Sequence, residues 1–396
     1  MRPDPETAAR PVAPEALRPH YRRFLRPGRI LLTGHSHQAW PDVAEDGLRQ
    51  AFADAADHVD GKWSRAAAQA AVMQQAVAAQ LGPRASADQI ATGQNTHELV
   101  TRFLSGLDWR RGRHVVTTGG EFHSMRRQLV RLAEEGVEVE WVPVEPRLTL
   151  AGRMARAVRS DTVGLMASTV LFRTSAIVPD LAEAVDAAHR VGAAVLLDAY
   201  HAYNVLPQPL EALGPDPIFV VGGGYKYAQW GEGCCWMRVP PDSAQRPVYT
   251  GWFADFAGLE GKQGALGYGA SGADRFAGST YDPASHYRAA AVIRFFEEQR
   301  LTVERLRACS VRQTGRLIAA LPQLELASPA AAAERGGFVA FRHPRAVEMV
   351  GLLREKAVFV DARDDLLRLG PAPYLTDDEL DAGAAAVAAV AEEVDR

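Results

Sequence analysis

Cysteine is scarce. Three occur in 396 residues, and Cys234 and Cys235 are adjacent, which gives neither a disulfide framework nor the CxxC spacing of zinc and redox motifs. A reducing compartment is expected, with the cytoplasm as the default. Long apolar runs are also missing: no stretch reaches the roughly 18 residues that a membrane-spanning helix needs. Residues 1–27 lack the apolar segment of a secretory signal, and Asp4, Glu6, Glu15 and several prolines make a poor transit peptide, so an irregular surface arm is predicted there. An excess of one charge is absent as well. Lys and Arg number 44 against 48 Asp and Glu, for a net charge of -4, which offers no basic field for a nucleic-acid backbone or an anionic membrane. With 47% hydrophobic and 23% charged residues, disordered and fibrous classes fit poorly, and a chain of this length supports two or three folding units.

What is present is alternation. After an Ala-rich helical stretch from about 46 to 81, broken near Asp60-Gly61, short apolar runs at 114–116, 137–144, 163–167, 194–198 and 218–221 alternate with amphipathic segments such as 181–190. This predicts an α/β fold whose large domain has a mostly parallel sheet with helices on its faces, ligands binding beyond the carboxyl ends of the strands. Val248-Tyr249 reads as strand before a Gly-rich stretch at 258–278 interrupts the pattern. Helical patterns at 287–299, 302–321 and 377–394, with short apolar runs at 337–342 and 358–360, predict a smaller α+β domain. The expected division is an N-terminal arm at 1–45 that contributes to the small domain and the active site, a large domain at 46–283 and a small domain at 284–396.

Two strand ends carry the chemistry. Leu196-Leu197-Asp198-Ala199-Tyr200-His201 and Phe219-Val220-Val221-Gly222-Gly223-Gly224-Tyr225-Lys226-Tyr227 each run from buried apolar residues into ionisable ones, where an unpartnered charge is costly. A lysine near buried backbone loses its proton readily and becomes the amine that forms a Schiff base with an aldehyde. An aspartate one strand earlier is the partner that a pyridinium nitrogen needs. The three glycines before Lys226 allow a sharp turn or the close approach of a ligand. Pyridoxal phosphate is suggested, although spacing alone also allows Asp198 to be a helix cap and Lys226 to reach out from a loop.

Asp198-x-x-His201, Tyr225-Lys226-Tyr227, Gly251-Trp252-Phe253 and the 276–280 segment, in this order, resemble kynureninase, a fold-type-I pyridoxal-phosphate enzyme of the aminotransferase class V group. The resemblance implies that Lys226 bonds the cofactor and later moves protons, that Asp198 pairs with the pyridine nitrogen, and that His201 and Tyr225 lie beside the ring and phosphate. It implies a homodimer in which Trp252 and Thr280 reach the phosphate of the neighbouring subunit. Gln94 and Asn95, before a helical pattern at 97–107, match the family's phosphate-binding turn, a helix N-terminus of the kind that cradles anions. Phe122 matches the aromatic that stacks on the ring. Arg368, with apolar flanks, matches the arginine that holds the substrate α-carboxylate; the plainer reading is a salt bridge to Asp364 or Asp365. His35 and Ser36 align with a substrate-side loop. His35 and His37 have no evident third metal ligand, so no metal is expected.

The resemblance implies hydrolysis of the Cβ–Cγ bond of L-kynurenine or 3-hydroxykynurenine, a step of tryptophan catabolism, giving alanine and an anthranilate. Lys226, Tyr225 and Asp198 would be catalytic, with Tyr225 a candidate proton donor to the β-carbon. The sequence departs from the family pattern in three places: Met125 replaces an aspartate, Thr280 an asparagine, and His35-Ser36-His37 an Asn-Ser-Leu type of loop. Alternatives are cysteine desulfuration, β-lysis or transamination of another amino acid, and a catalytically silent relative. A desulfurase would need a sulfur acceptor, but Cys234 and Cys235 lie in a segment that reads as a buried strand.

Overall fold

A computed structural model describes residues 11–259 and 266–396. The start of the N-terminal arm and residues 260–265 of the Gly-rich stretch lie outside the described residues.

The large sheet forms because its strands are apolar on both faces. β5 (Thr162–Ser168) and β7 (Ile218–Gly223) are buried along their whole lengths, as strands covered by helices on each side must be. In β6 (Ala194–Asp198), Val195 and Leu197 enter one core cluster and Leu196 the other, following the two-residue period of a strand. With β2 (Ile90–Gly93), β3 (His114–Thr118), β4 (Glu138–Val142) and β8 (Cys235–Arg238), the order is β2-β8-β7-β6-β5-β3-β4. β8 runs antiparallel to both neighbours, and the remaining pairs are parallel. From β3 the chain moves outward to β4 and then returns to β5 on the other side of β3. The loops after β3 and β5 therefore flank a topological switch point, where doubly wound sheets open a crevice.

Two long helices, Val43–His58 and Lys62–Leu81, are separated by a short turn at Val59–Gly61, and both pack against the helix Ala284–Glu298. Beyond it, β9 (Glu325–Leu326), β10 (Val339–Arg342), β12 (Asp361–Arg363) and β13 (Leu366–Leu369) form an antiparallel sheet in the order β12-β13-β10-β9. The helices Val303–Ala320 and Ala346–Glu355 pack with it, and both pack against a third helix, Asp377–Asp395. The last starts in a capping box in which Thr376 and Glu379 satisfy each other's backbone amides. β1 (Ile30–Leu31) pairs in parallel with β11 (Val358–Phe359), and Thr33 bridges to Gly370. These pairings bring the 30–38 segment onto the C-terminal region.

Two expectations need correction. The irregular surface arm is, over residues 11–27, partly interior: Val12 and Leu17 are buried, and the fully buried Tyr21 hydroxyl donates to Gln229 Oε1 at 2.7 Å. Tyr21 also packs against Phe295 and Tyr374, so aromatic burial anchors a segment whose prolines suggest a loose arm. Val248-Tyr249, which reads as strand, pairs with no strand and has both side chains exposed. Isolated β-propensity without a neighbouring edge makes no ladder.

Candidate active site

Lys226 follows β7 and is only 4% exposed. Its Nζ lies 2.6 Å from His201 Nε2 and 4.6, 5.2 and 5.5 Å from the ring centroids of Tyr200, Phe122 and Tyr225. Burial among these rings pulls its pKa well below the ordinary lysine value, and the nearby Asp198 carboxylate only partly offsets this. His201 is held as the neutral imidazole by burial and by the positive charge of Lys226. The ring meets the amine at Nε2, and its other nitrogen, Nδ1, is a buried atom that has no hydrogen-bond partner. Asp198 ends β6, beside β7, and its Oδ1 accepts from the Tyr200 amide at 2.8 Å. Burial raises its pKa, whereas Lys226 and the Tyr200 amide favour its charged form.

These residues share a cavity of about 340 Å³ with Gln94, Asn95, Phe122, Ser168, Phe172 and Cys235. Phe122 precedes the helix His123–Glu134 at the end of the β3 loop, and Phe172 meets it edge-on at 5.3 Å. Asn95 caps the helix Thr96–Ser105 by accepting from the Glu98 amide at 2.9 Å, while Glu98 accepts from the Gln94 amide at 2.8 Å. A carboxylate already lies at this helix N-terminus, where the backbone favours negative charge. The Tyr225 phenol, raised by burial to about 12, keeps its proton at neutral pH and can donate it. A larger cavity of about 1160 Å³ opens near the amino ends of β5, β6 and β7, at Val163, Ala194 and Phe219. It is remote from Lys226, at the end of the sheet opposite the switch point.

The glycines before Lys226 serve packing. A side chain on Gly222 would strike Trp236, one on Gly223 would strike Tyr200 and Cys235, and one on Gly224 would strike Trp230. The close approach that they permit is to this chain's own side chains rather than to a ligand. Met125 is buried in the core cluster on one face of the large sheet.

The predicted substrate-side residues form a separate cluster. Arg368 is 2% exposed, and its carboxylate partner is Asp361, the residue opposite it on β12. Arg368 Nε donates to Asp361 Oδ1 at 2.8 Å and Nη2 to Oδ2 at 2.5 Å, while Nη1 donates to the Phe172 carbonyl. Three of the guanidinium's five N–H groups are thus used, and two remain for another acceptor. Asp364 and Asp365 pair instead with Arg173 and Arg342. His35 is fully buried, stacks on Phe338 at 4.5 Å and donates from Nε2 to Asp361 Oδ1 at 2.9 Å. Burial lowers its pKa to about 4, so the ring is neutral. Asp361, between His35 and Arg368, is held far below the usual carboxylate range despite its burial. Ser36 bonds back to the Thr33 carbonyl. Neither Arg368, His35 nor Ser36 lines the 340 Å³ cavity; the Phe172 carbonyl links the two clusters.

Trp252 and Thr280 also lie outside the cavity. Trp252 Nε1 donates to Thr280 Oγ1 at 3.3 Å, and the indole is 43% exposed beside Phe253 and Phe256. Among the described residues no group of His, Cys, Asp and Glu could hold a metal, and no helix is long and apolar enough to cross a membrane. Sequence reasoning missed Asp361, Phe172 and the buried Glu121. Asp361 had one local signal, an acid on the strand before the arginine's own; Glu121, next to Phe122, had none.

The residues present fit the cofactor suggested by the sequence. An amine of lowered basicity, an acid on the adjacent strand, an aromatic wall, a helix N-terminus and an imidazole with an unmatched buried nitrogen surround one cavity. Residues 306–387 match the family described as the kynureninase C-terminal domain. Kynureninase of Deinococcus radiodurans is 29% identical over 393 residues, covering 94% of this chain and 92% of that protein. A probable cysteine desulfurase of Methanothermobacter thermautotrophicus is 34% identical over 143 residues, covering 36% of this chain and 35% of that protein. Among solved structures, a C-DES mutant with glycine covalently linked to its PLP cofactor superposes with a TM-score of 0.81 at 19% identity, covering 95% of this chain and 99% of that one. The chain therefore has the fold of type-I pyridoxal-phosphate enzymes and resembles the kynureninase family in sequence along nearly its whole length.

Proposed function

We propose that the protein binds pyridoxal 5'-phosphate at Lys226 and hydrolyses the Cβ–Cγ bond of an aryl-ketone amino acid, L-kynurenine or 3-hydroxykynurenine. The observation that carries this reading is the buried Lys226 amine, short of its usual proton affinity and set beside Asp198 at the carboxyl end of the sheet. When bound, the cofactor supplies an electron sink for the bond broken at the substrate. This chain's residues do the rest. Lys226 accepts the α-proton and returns it to the α-carbon before alanine leaves, with His201 as its hydrogen-bond partner at 2.6 Å. Asp198, whose charged form Lys226 and the Tyr200 amide favour, would pair with the ring nitrogen. Tyr225, which holds its phenolic proton, donates it to the β-carbon as the Cβ–Cγ bond breaks. Water adds its oxygen to the γ-carbonyl carbon, so alanine and an anthranilate leave. The aromatic edges of Phe122, Phe172 and Tyr225 suit an aryl side chain.

Arg368 takes the substrate α-carboxylate through its two remaining N–H groups, and His35 and Ser36 frame that end. Gln94, Asn95, His201, Tyr225 and Phe122, which line the same cavity, would hold the cofactor. Trp252 and Thr280, exposed within one chain, complete the site of a second copy in a homodimer. The arm at 1–45, the large domain at 46–283 and the small domain at 284–396 are the parts between which this site would form. Three free, buried cysteines suit a reducing compartment such as the cytoplasm.

Desulfuration or β-lysis is the second reading, favoured by the desulfurase similarity. A persulfide relay needs an accessible thiolate, whereas burial raises the thiols of Cys234 and Cys309 to about 11 and that of Cys235 to about 12. The test is to incubate the cofactor-loaded enzyme with kynurenine, cysteine and alanine and to follow anthranilate fluorescence, sulfide and pyruvate. Anthranilate is the expected product. Sulfide or pyruvate without anthranilate would refute the hydrolase reading.

A further inference from the structure

Glu121 precedes Phe122 in the loop after β3 and is only 2% exposed. Its carboxylate is enclosed by three donors. Oε1 accepts from the Ser168 amide at 3.1 Å and from the Thr118 hydroxyl, and Oε2 accepts from the Ser168 hydroxyl at 2.6 Å. Ser168 ends β5, sits in register with Asp198 on β6, and lines the Lys226 cavity. Thr118 ends β3. One buried acid thus ties together the ends of β3 and β5, the two strands that border the switch point, and precedes in sequence Phe122, which lines the cavity.

We propose that Glu121 is a positioning residue that fixes the hydrogen-bond polarity of Ser168 toward the cofactor cavity. The proposal rests on the cofactor reading above. A serine hydroxyl has one proton and two lone pairs, and an ionised carboxylate only accepts. While Glu121 is ionised, the Ser168 proton is committed to Oε2, and the hydroxyl offers the cavity an acceptor. If Glu121 gains a proton, that bond can reverse: the carboxylic acid donates to Ser168 Oγ, and the Ser168 proton turns to the cavity as a donor. Burial raises the Glu121 pKa to about 7 against the pull of its three donors, and the negative charge of Asp198 pushes the same way. The exchange therefore falls near neutral pH, where the Ser168 hydroxyl meets the cofactor either as acceptor or as donor. Of the other titratable groups at the cavity, Lys226 faces Asp198 and lies against His201, Tyr200 and Tyr225, and Glu232 lines the same cavity.

The test uses protein loaded with pyridoxal phosphate and follows the visible absorption of the bound cofactor across neutral pH in the wild type, Glu121→Gln, Ser168→Ala and the double variant. The wild-type spectrum is expected to change with an inflection near neutrality. Glu121→Gln, which keeps an acceptor but cannot ionise, loses that inflection; Ser168→Ala loses it too, and the double variant matches either single one. An inflection that persists in both single variants overturns the proposal, even if their melting temperatures fall, because Glu121 is then only structural. Should Glu121→Gln not fold, Ser168→Ala decides alone: loss supports the proposal and retention overturns it. A wild type that shows no visible band removes the cofactor reading itself, whereas a normal band unaltered in the variants removes only this inference.

Discussion

The two clusters on either side of Phe172 solve opposite electrostatic problems. Around Lys226 the surroundings are aromatic and the charge is suppressed: the amine is short of its proton and His201 is neutral. Around Arg368 the charge is kept and paired, with Asp361 bound by two guanidinium N–H groups and by His35. A nucleophile gains from burial that strips its charge, while a carboxylate receptor must remain a cation and so needs a fixed counter-ion. The same degree of burial therefore gives reactivity at one end and a preformed ion pair at the other.

This contrast orders the expected effects of mutation. The largest is expected at Lys226, where Lys226→Ala should remove both the visible cofactor band and turnover, a fall of at least about 10³-fold in kcat for the proton transfer proposed for this group. Next is Asp361→Ala, which strands Arg368 without a partner; loss of one member of a buried pair costs roughly 3–5 kcal/mol, read as a large fall in melting temperature, with cofactor absorbance retained. Arg368→Lys keeps the charge but loses the fork, so KM rises while the visible band stays unchanged. A variant of Arg368 that lost the band and kept KM would reverse the division of labour between the clusters.

Smaller effects lie at the surface and in pH dependence. Trp252→Ala removes a partly exposed indole and should change melting temperature little, yet weaken cofactor retention and shift light-scattering mass toward monomer. His35 gives a signed pH effect. Its folded pKa, about 4, lies below the unfolded value of 6.5, so the unfolded chain binds the extra proton between these values. Its share of stability is intact above pH 6.5 and is lost as the pH falls toward 4. His35→Asn should flatten the decline in melting temperature over that window, and an unchanged slope would assign the decline to other groups.

Legibility followed the range of the contacts. The parallel core could be read because apolar runs and amphipathic segments are local patterns, and Lys226 and Asp198 stood out as ionisable residues that end apolar strands. The tie between His35 and Asp361 spans 326 positions, and nothing near either residue marks it. Glu121 reads locally as a loop acid; only the return of β5 beside β3 buries it against Ser168. The triple glycine was recognisable as a place of close approach, but what approaches, Trp236, Tyr200 and Trp230, is set by β8 and by the turns after β6 and β7. For Arg368 the sequence offered Asp364 and Asp365 as neighbours, whereas strand register presents Asp361.

Lysine occurs in this chain at positions 62, 226, 262 and 356, so the site of cofactor attachment can be read without ambiguity. Reducing the loaded protein with borohydride and mapping its peptides by mass spectrometry should find the pyridoxyl mass on Lys226 alone. Finding that mass on another lysine, or on none, would contradict the assignment of the buried amine as the cofactor's anchor.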